Sequence, residues 1–267
     1  MEFYSQEERE LTAQFLERGY VILTAECRES LDWIRDQIVE SAARQLGLAE
    51  IGDKAEFLNT VHECVDPTEL NALRLSVIKE FNAEPSLRAR YFAIARLALQ
   101  AIVGNELCMQ RRINLSIQLP DDESSLLPIH SDVLNGNSPF EVVHWTPFVD
   151  VYGTKSMFIL PPKPNAEALR RLPEFGDQGS EAFRRAFEDD LVWLEMCYGE
   201  TLVFNQNLLH GNVVNSEMET RWTTNCRYKG VFTPYADKKL GEYFEPISLR
   251  AASKVGLDYR IPSIVNS

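Results

Sequence analysis

The chain has 267 residues, 45% hydrophobic and 25% charged, an ordinary globular balance with enough apolar material for a sizeable core. A net charge of −13 argues against nucleic acid or an anionic membrane as a partner and leaves a small molecule as the expected one. No apolar run approaches the ~18 residues of a membrane span, and the start Met1–Glu8 lacks the basic and apolar regions of a signal peptide. Five scattered cysteines (Cys27, Cys64, Cys108, Cys197, Cys226) read as reduced thiols of a cytoplasmic protein.

Ser5 and Glu8 frame a capping box, and Leu11, Phe15 and Leu16 then recur at helical spacing until Gly19. Tyr20–Leu23 reads as a short strand, followed by a helix from about Arg28 to Leu46 with Leu31, Ile34, Ile38 and Ala42 on one stripe. Asp66–Thr68 starts another helix, with Pro67 in the first turn, and Pro85 opens one that runs toward Gly104. His62 stands alone, so residues 1–110 are expected to be mostly helical support without a catalytic cluster.

The pattern changes at Arg111. Ile113, Leu115, Ile117 and Leu119 alternate with Arg112, Asn114, Ser116 and Gln118, a period-two strand with one apolar and one polar face. Strands are expected within Phe140–Asp150, Ser156–Leu160, Leu191–Glu195, Thr201–Phe204 and Arg221–Thr233. The charged stretch 164–190, with two short helical patterns, reads as an insertion, and Phe244–Val255 as a closing helix. The expected architecture is one α+β domain over 1–267, with a β core over 111–235 and a helical segment over 236–267.

The chemistry concentrates in two stretches. His130 and Asp132 lie at i and i+2, so in an extended segment both side chains share a face. His210 is far enough downstream to return on a neighbouring strand. Two imidazoles and one carboxylate are the set that holds a divalent iron and leaves positions open. An oxo-acid bound there needs its distant carboxylate held by a fixed cation, and arginine's planar fork suits that. Arg221, eleven residues after His210, is the candidate anchor, with Thr223 on the same face adding a hydroxyl. Arg227 is the competing anchor or a contact to a substrate anion.

These residues, with Gly199–Asn212 around His210, resemble the iron(II)/2-oxoglutarate-dependent oxygenases. Phe15–Leu23 resembles the start of the phytanoyl-CoA dioxygenase-like branch, and Asn137–Val143 and Lys155–Pro162 resemble members found with carbohydrate and aminoglycoside biosynthesis genes. The resemblance covers roughly residues 5 to 235 and implies a double-stranded β-helix, a cupin-like jelly roll. It implies His130, Asp132 and His210 as Fe(II) ligands, and Arg221 with Thr223 as the 2-oxoglutarate site. In that family O2 oxidatively decarboxylates 2-oxoglutarate to succinate and CO2, and the substrate is usually hydroxylated. Halogenating relatives lack the metal carboxylate, which Asp132 supplies here.

The expected activity is therefore oxidation of a small polar metabolite, a sugar or aminoglycoside-type intermediate. A non-oxidative metal-dependent epimerase or isomerase is the rival enzyme, and a metal-free carbohydrate-binding jelly roll the rival outside catalysis. Asn114, Gln118, Trp145, Lys155, Asn212 and Arg227 are the candidate substrate contacts, named by face and proximity. Each has a plain structural alternative: Trp145 as core, Lys155 as a solvated turn lysine, Asn114 and Gln118 as partners of nearby backbone. His144 reads as a packed or exposed strand histidine, with a polar place in the pocket as the alternative.

Overall fold

Local signals build the first elements as expected. In helix α1 (Gln6–Arg18), the Ser5 hydroxyl accepts from the Glu8 amide and the Glu8 carboxylate accepts from the Ser5 amide, so two free donors of the first turn are satisfied. Gly19 ends the helix at φ 80°, a conformation that favours glycine, and its N–H donates to the Phe15 carbonyl. Strand β1 (Tyr20–Thr24) follows, then α2 (Arg28–Gln45), α3 (Lys54–Thr60) and α4 (Pro67–Ala83), the last capped by Asp66. The computed structural model describes residues 3–260; residues 1–2 and 261–267, which end the expected C-terminal helical segment, lie outside it.

The helix expected from Pro85 to Gly104 is two, α5 (Leu87–Ala93) and α6 (Arg96–Ile102). A distant carboxylate causes the break. Glu26 accepts from the amides of Leu97 and Ala98 at 2.8 and 3.0 Å, and so caps a new helix start. Next comes a strand that the pattern did not reveal, β2 (Leu107–Gln110). All four of its residues are buried, so it has no polar face to produce alternation.

The remaining elements are β3 (Asn114–Gln118), β4 (Glu141–Pro147), β5 (Phe158–Ile159), α7 (Pro162–Arg171), α8 (Gly179–Ala186), β6 (Val192–Trp193), β7 (Glu200–Asn205), β8 (His210–Gly211), β9 (Arg221–Gly230), β10 (Phe244–Pro246) and α9 (Ala251–Asp258). Among the described residues, one antiparallel sheet has the order β1-β7-β4-β9-β2-β10, with β3 also on β9, and a smaller one the order β6-β5-β8. Phe244–Val255 is thus a strand paired with β2 and only then a helix, because Phe244 is buried beside Cys108 and Val231.

Burial assigns the layers. Val142, Val203, Trp222, Cys226 and Tyr228 on one face of the large sheet pack with Ile34, Ile38, Val77 and Tyr91 of the helices. Val143, Trp145, Leu202 and Phe204 on its other face pack with Met157, Ile159 and Leu194 of the small-sheet side. Beyond the small sheet, Ala168, Phe183 and Phe187 bury themselves against Phe158, Leu160 and Leu209. Residues 164–190 lie between β5 and β6 and form a covering layer with its own apolar stripe. Asn165 binds it to the site, accepting from the Leu209 amide at 2.8 Å next to His210.

Candidate metal centre

His130 and His210 meet through the backbone. Each amide donates to the other's carbonyl at 2.9 Å, and the ring centroids lie 4.4 Å apart. Gly211 allows this approach, since a Cβ there would lie 2.7 Å from the Leu127 carbonyl oxygen and 3.1 Å from the Ile129 nitrogen. Asp132 does not continue the extended segment: it begins a short 3-10 turn over Asp132–Asn135, with its amide on the Gln206 carbonyl. The turn still aims its carboxylate inward. His130, Asp132 and His210 each offer one ligand atom, all within 4.8 Å of one another.

Hydrogen bonds decide which atoms face the centre. His130 Nδ1 lies 2.7 Å from the Pro128 carbonyl and His210 Nδ1 lies 2.8 Å from the Leu208 carbonyl. A carbonyl only accepts, so both Nδ1 atoms carry the proton and both Nε2 lone pairs are free for a cation. Arg227 donates from Nη2 to Asp132 Oδ2 at 2.6 Å, while Oδ1 faces His130 Nε2 at 3.6 Å. The carboxylate is thereby held from behind, with one oxygen toward the imidazoles. Burial alone would raise the Asp132 carboxyl, but His130, Arg227 and His210 hold it well below the usual carboxylate range. Burial and the neighbouring His130 push His210 down to about 4, which keeps it neutral at physiological pH. Two neutral-capable imidazoles and an ionised carboxylate fit a divalent iron by donor type and count.

Arg227 is itself fixed by a partly buried network. Its Nε donates to Gln206 Oε1 at 3.2 Å and its Nη1 to the Tyr243 hydroxyl at 3.3 Å. Gln206 Nε2 in turn donates to Glu141 Oε2 at 3.0 Å. The sequence reading did not single out Gln206, Glu141 or Tyr243. Gln206, four residues before His210 inside the same motif, was the accessible hint.

Arg221 stands in the opposite situation. It is 3% exposed, and its donors reach only the Ser156 carbonyl at 2.8 Å and, weakly, the Ser116 hydroxyl at 3.4 Å. Its Nε and the Thr223 hydroxyl are buried without a partner. Burial pushes the guanidinium down to about 10. The β3–β9–β4 register explains the placement: Arg221, Thr223, Asn225 and Arg227 point to one face of β9, opposite Gln118, Ser116, Trp145 and Val143. Arg221, Thr223, Trp145, Asn212 and Arg227 line one cavity of about 100 Å³ with the three candidate ligands. A buried cation and hydroxyl with unused donors, beside a candidate metal centre, fit the far carboxylate of a small dianion.

The other candidate substrate residues divide. Trp145 lines the cavity while packing with Leu202 and Phe204. Asn212 lines it too, but its side chain serves backbone, accepting from the Leu127 amide and donating to the Ser125 carbonyl. Lys155 is not a pocket residue or a solvated lysine: fully buried, it donates to Glu219 at 2.6 Å and Asn59 at 2.8 Å. Gln118 is drawn off by the Val213 carbonyl, and exposed Asn114 donates to Asn225 from the neighbouring cleft. His144 faces the helices, its ring 4.5 Å from that of Tyr91 and its Nε2 2.6 Å from the Thr201 hydroxyl.

No protein-family model matches the chain, and no curated protein matches it. Solved structures do. The non-heme monooxygenase ThoJ in its nickel complex has a TM-score of 0.54 at 16% identity, covering 90% of this chain and 84% of that one. HygX from Streptomyces hygroscopicus, with nickel and 2-oxoglutarate bound, gives 0.52 at 13% identity over 89% and 90%. The epimerase SnoN, in complex with Fe3+, alpha ketoglutarate and nogalamycin RO, gives 0.51 at 17% identity over 91% and 96%. The chain has their fold. At this level the expected resemblance to non-heme iron, 2-oxoglutarate-dependent enzymes holds, and among the described residues no helix is long and apolar enough to cross a membrane.

Proposed function

We propose that the chain is an Fe(II)/2-oxoglutarate-dependent oxygenase, built as a double-stranded β-helix, that oxidises a small polar metabolite. One observation carries the reading: the His130, Asp132 and His210 cluster shares a small cavity with Arg221, a buried cation without a counter-ion among the described residues. The two sheets, packed through Val143, Trp145, Met157 and Ile159, support the β-helix. A bound iron(II), with 2-oxoglutarate and O2, supplies the oxidising power.

The chain's own residues would do the rest. His130, Asp132 and His210 would hold the metal, their geometry set by the Pro128 and Leu208 carbonyls and by Arg227. Arg221 and Thr223 would hold the outer carboxylate of 2-oxoglutarate, so that its oxo-acid end points to the metal. Val143, Trp145, Met157 and Phe204 would exclude water from the reacting centre. The resemblance at Asn137–Val143 and Lys155–Pro162 supports a sugar or aminoglycoside-type substrate.

The test is 2-oxoglutarate turnover. Purified chain with Fe(II) should release succinate and CO2 under O2, should bind about one metal per chain, and should lose both properties in His210→Ala. Metal binding without O2-dependent succinate formation, across a panel of polar metabolites, would sink the oxygenase reading. The likeness to an epimerase favours a second outcome at the same site, inversion of a carbon centre in place of hydroxylation. Label from 18O2 in the product supports hydroxylation; an isomeric product without label supports epimerisation.

A further inference from the structure

The inner cavity is too small to account for a substrate. Ligand pockets run to about 300–1,000 Å³, whereas this one has about 100 Å³ and would already take a metal and a co-substrate. Beside it lies a cleft of about 1190 Å³, between α4, the β2–β3 connection and the approach to β10.

The two share a wall of hydrogen-bonded pairs. Asn114, on the cleft, donates to Asn225 on the cavity at 2.9 Å. Tyr243 and Gln110, also on the cleft, accept from the Arg227 side chain and backbone at 3.3 Å each. Two hydrogen-bonded side chains, Tyr243 and Arg227, therefore lie between the cleft and Asp132 of the candidate metal centre.

Charge gives the cleft its chemistry. Lys79, Arg88, Arg111 and Arg112 line it against Glu242 and Glu245, an excess of positive charge in a chain of net −13. Glu245 pairs with both Arg88 and Arg111 and removes them from use. Lys79 and Arg112 are exposed and carry no acidic partner among the described residues, while Leu75 and Ile78 provide an apolar surface beside them. Surface lysines and arginines are usually just solvated. Here two of them stand over a concave surface that shares a wall with a candidate active site, in a protein whose charge otherwise repels anions.

We propose that this cleft is the outer substrate site, and that Lys79 and Arg112 hold an anionic group, phosphate or carboxylate, of a substrate whose reacting end reaches the inner cavity past the Asn114–Asn225 and Tyr243–Arg227 pairs. The proposal rests on the oxygenase reading of that cavity and narrows its substrates to acidic ones. Arginine's planar fork and lysine's point charge both suit an oxyanion, and Leu75 and Ile78 suit an apolar or ring body next to it.

The test titrates phenyl phosphate and benzoate into the full chain, with and without Ni(II) and 2-oxoglutarate, by calorimetry. At least one probe should bind, more weakly as salt rises, and whichever binds tighter identifies the group. Lys79→Glu with Arg112→Glu should weaken it about tenfold or more, and the paired glutamine variants by less. Reversing Arg18 and Lys254, exposed charges away from the cleft, should change nothing. Neither probe binding, or binding indifferent to the Lys79 and Arg112 reversals, overturns the proposal. Ni(II) and 2-oxoglutarate titrations on the same samples separate the two readings: loss of probe binding alone removes the cleft, while loss of metal and 2-oxoglutarate binding alone removes the oxygenase.

Discussion

Replacing Arg221 by methionine should make the unliganded protein more stable and abolish its response to 2-oxoglutarate. Burial takes the guanidinium from its ordinary 12.5 down to about 10, with desolvation the cause. At about 1.4 kcal/mol per tenfold, that corresponds to about 3 kcal/mol disfavouring the folded, charged form. Against it stands one good hydrogen bond, to the Ser156 carbonyl at 2.8 Å, worth about 1.5 kcal/mol for a charged donor. Methionine fills a similar volume without the charge, so the net gain is about 1–2 kcal/mol. For a chain of this size that is a rise in Tm of roughly 2–6 °C. Denaturant unfolding of the metal-free proteins measures the first effect. Thermal unfolding with Ni(II), with and without 2-oxoglutarate, measures the second. If Arg221→Met is destabilised by more than about 1 kcal/mol, or keeps the wild-type response to 2-oxoglutarate, the account of Arg221 as a cation awaiting its anion is wrong.

Three further predictions follow from the same geometry. Arg227→Leu strips Asp132 Oδ2 of its partner and leaves Gln206 Oε1 unpaired, so metal affinity should fall about 10–100-fold in a competition titration, with Arg227→Lys between it and wild type. Gly211→Ala would force a Cβ against the Leu127 carbonyl, 2.7 Å away, and should cost about 1–3 kcal/mol of stability while loosening the His130–His210 pairing; full stability in that variant would contradict the close approach. Finally, burial pushes His144 from its ordinary 6.5 down to about 3, so the fold accepts only its neutral form. The folded state then binds fewer protons than the unfolded one, stability rises with pH, and the loss sets in as pH falls below 6.5. At pH 5 the contribution lost is about 2 kcal/mol. His144→Gln should flatten the pH dependence of unfolding by that amount between pH 7 and 5, and an unchanged slope would remove His144 as the cause.

How much of this was legible in the sequence depended on the range of the forces involved. The capping box at Ser5 and Glu8, the stripe of Leu31, Ile34 and Ile38, and the alternation of Ile113, Leu115 and Ile117 announce their elements because the physics acts within a few residues. That Arg221 and Thr223 share a face, and that two histidines and an aspartate could converge with them, was also readable, since alternate residues of a strand point the same way. Tertiary contacts decided the rest. Glu26 cut one expected helix in two from 71 residues away. Burial on both sides hid β2, and pairing with it turned the start of an expected helix into β10. Most of all, nothing local distinguishes Arg227, tied to Asp132, from Arg221, left without a counter-ion among the described residues, or places Lys155 on Glu219 and away from the cavity. A charged side chain's role is set by which opposite charge comes to lie within hydrogen-bond reach. That depends on how distant strands are brought together, and no residue pattern along the chain contains it.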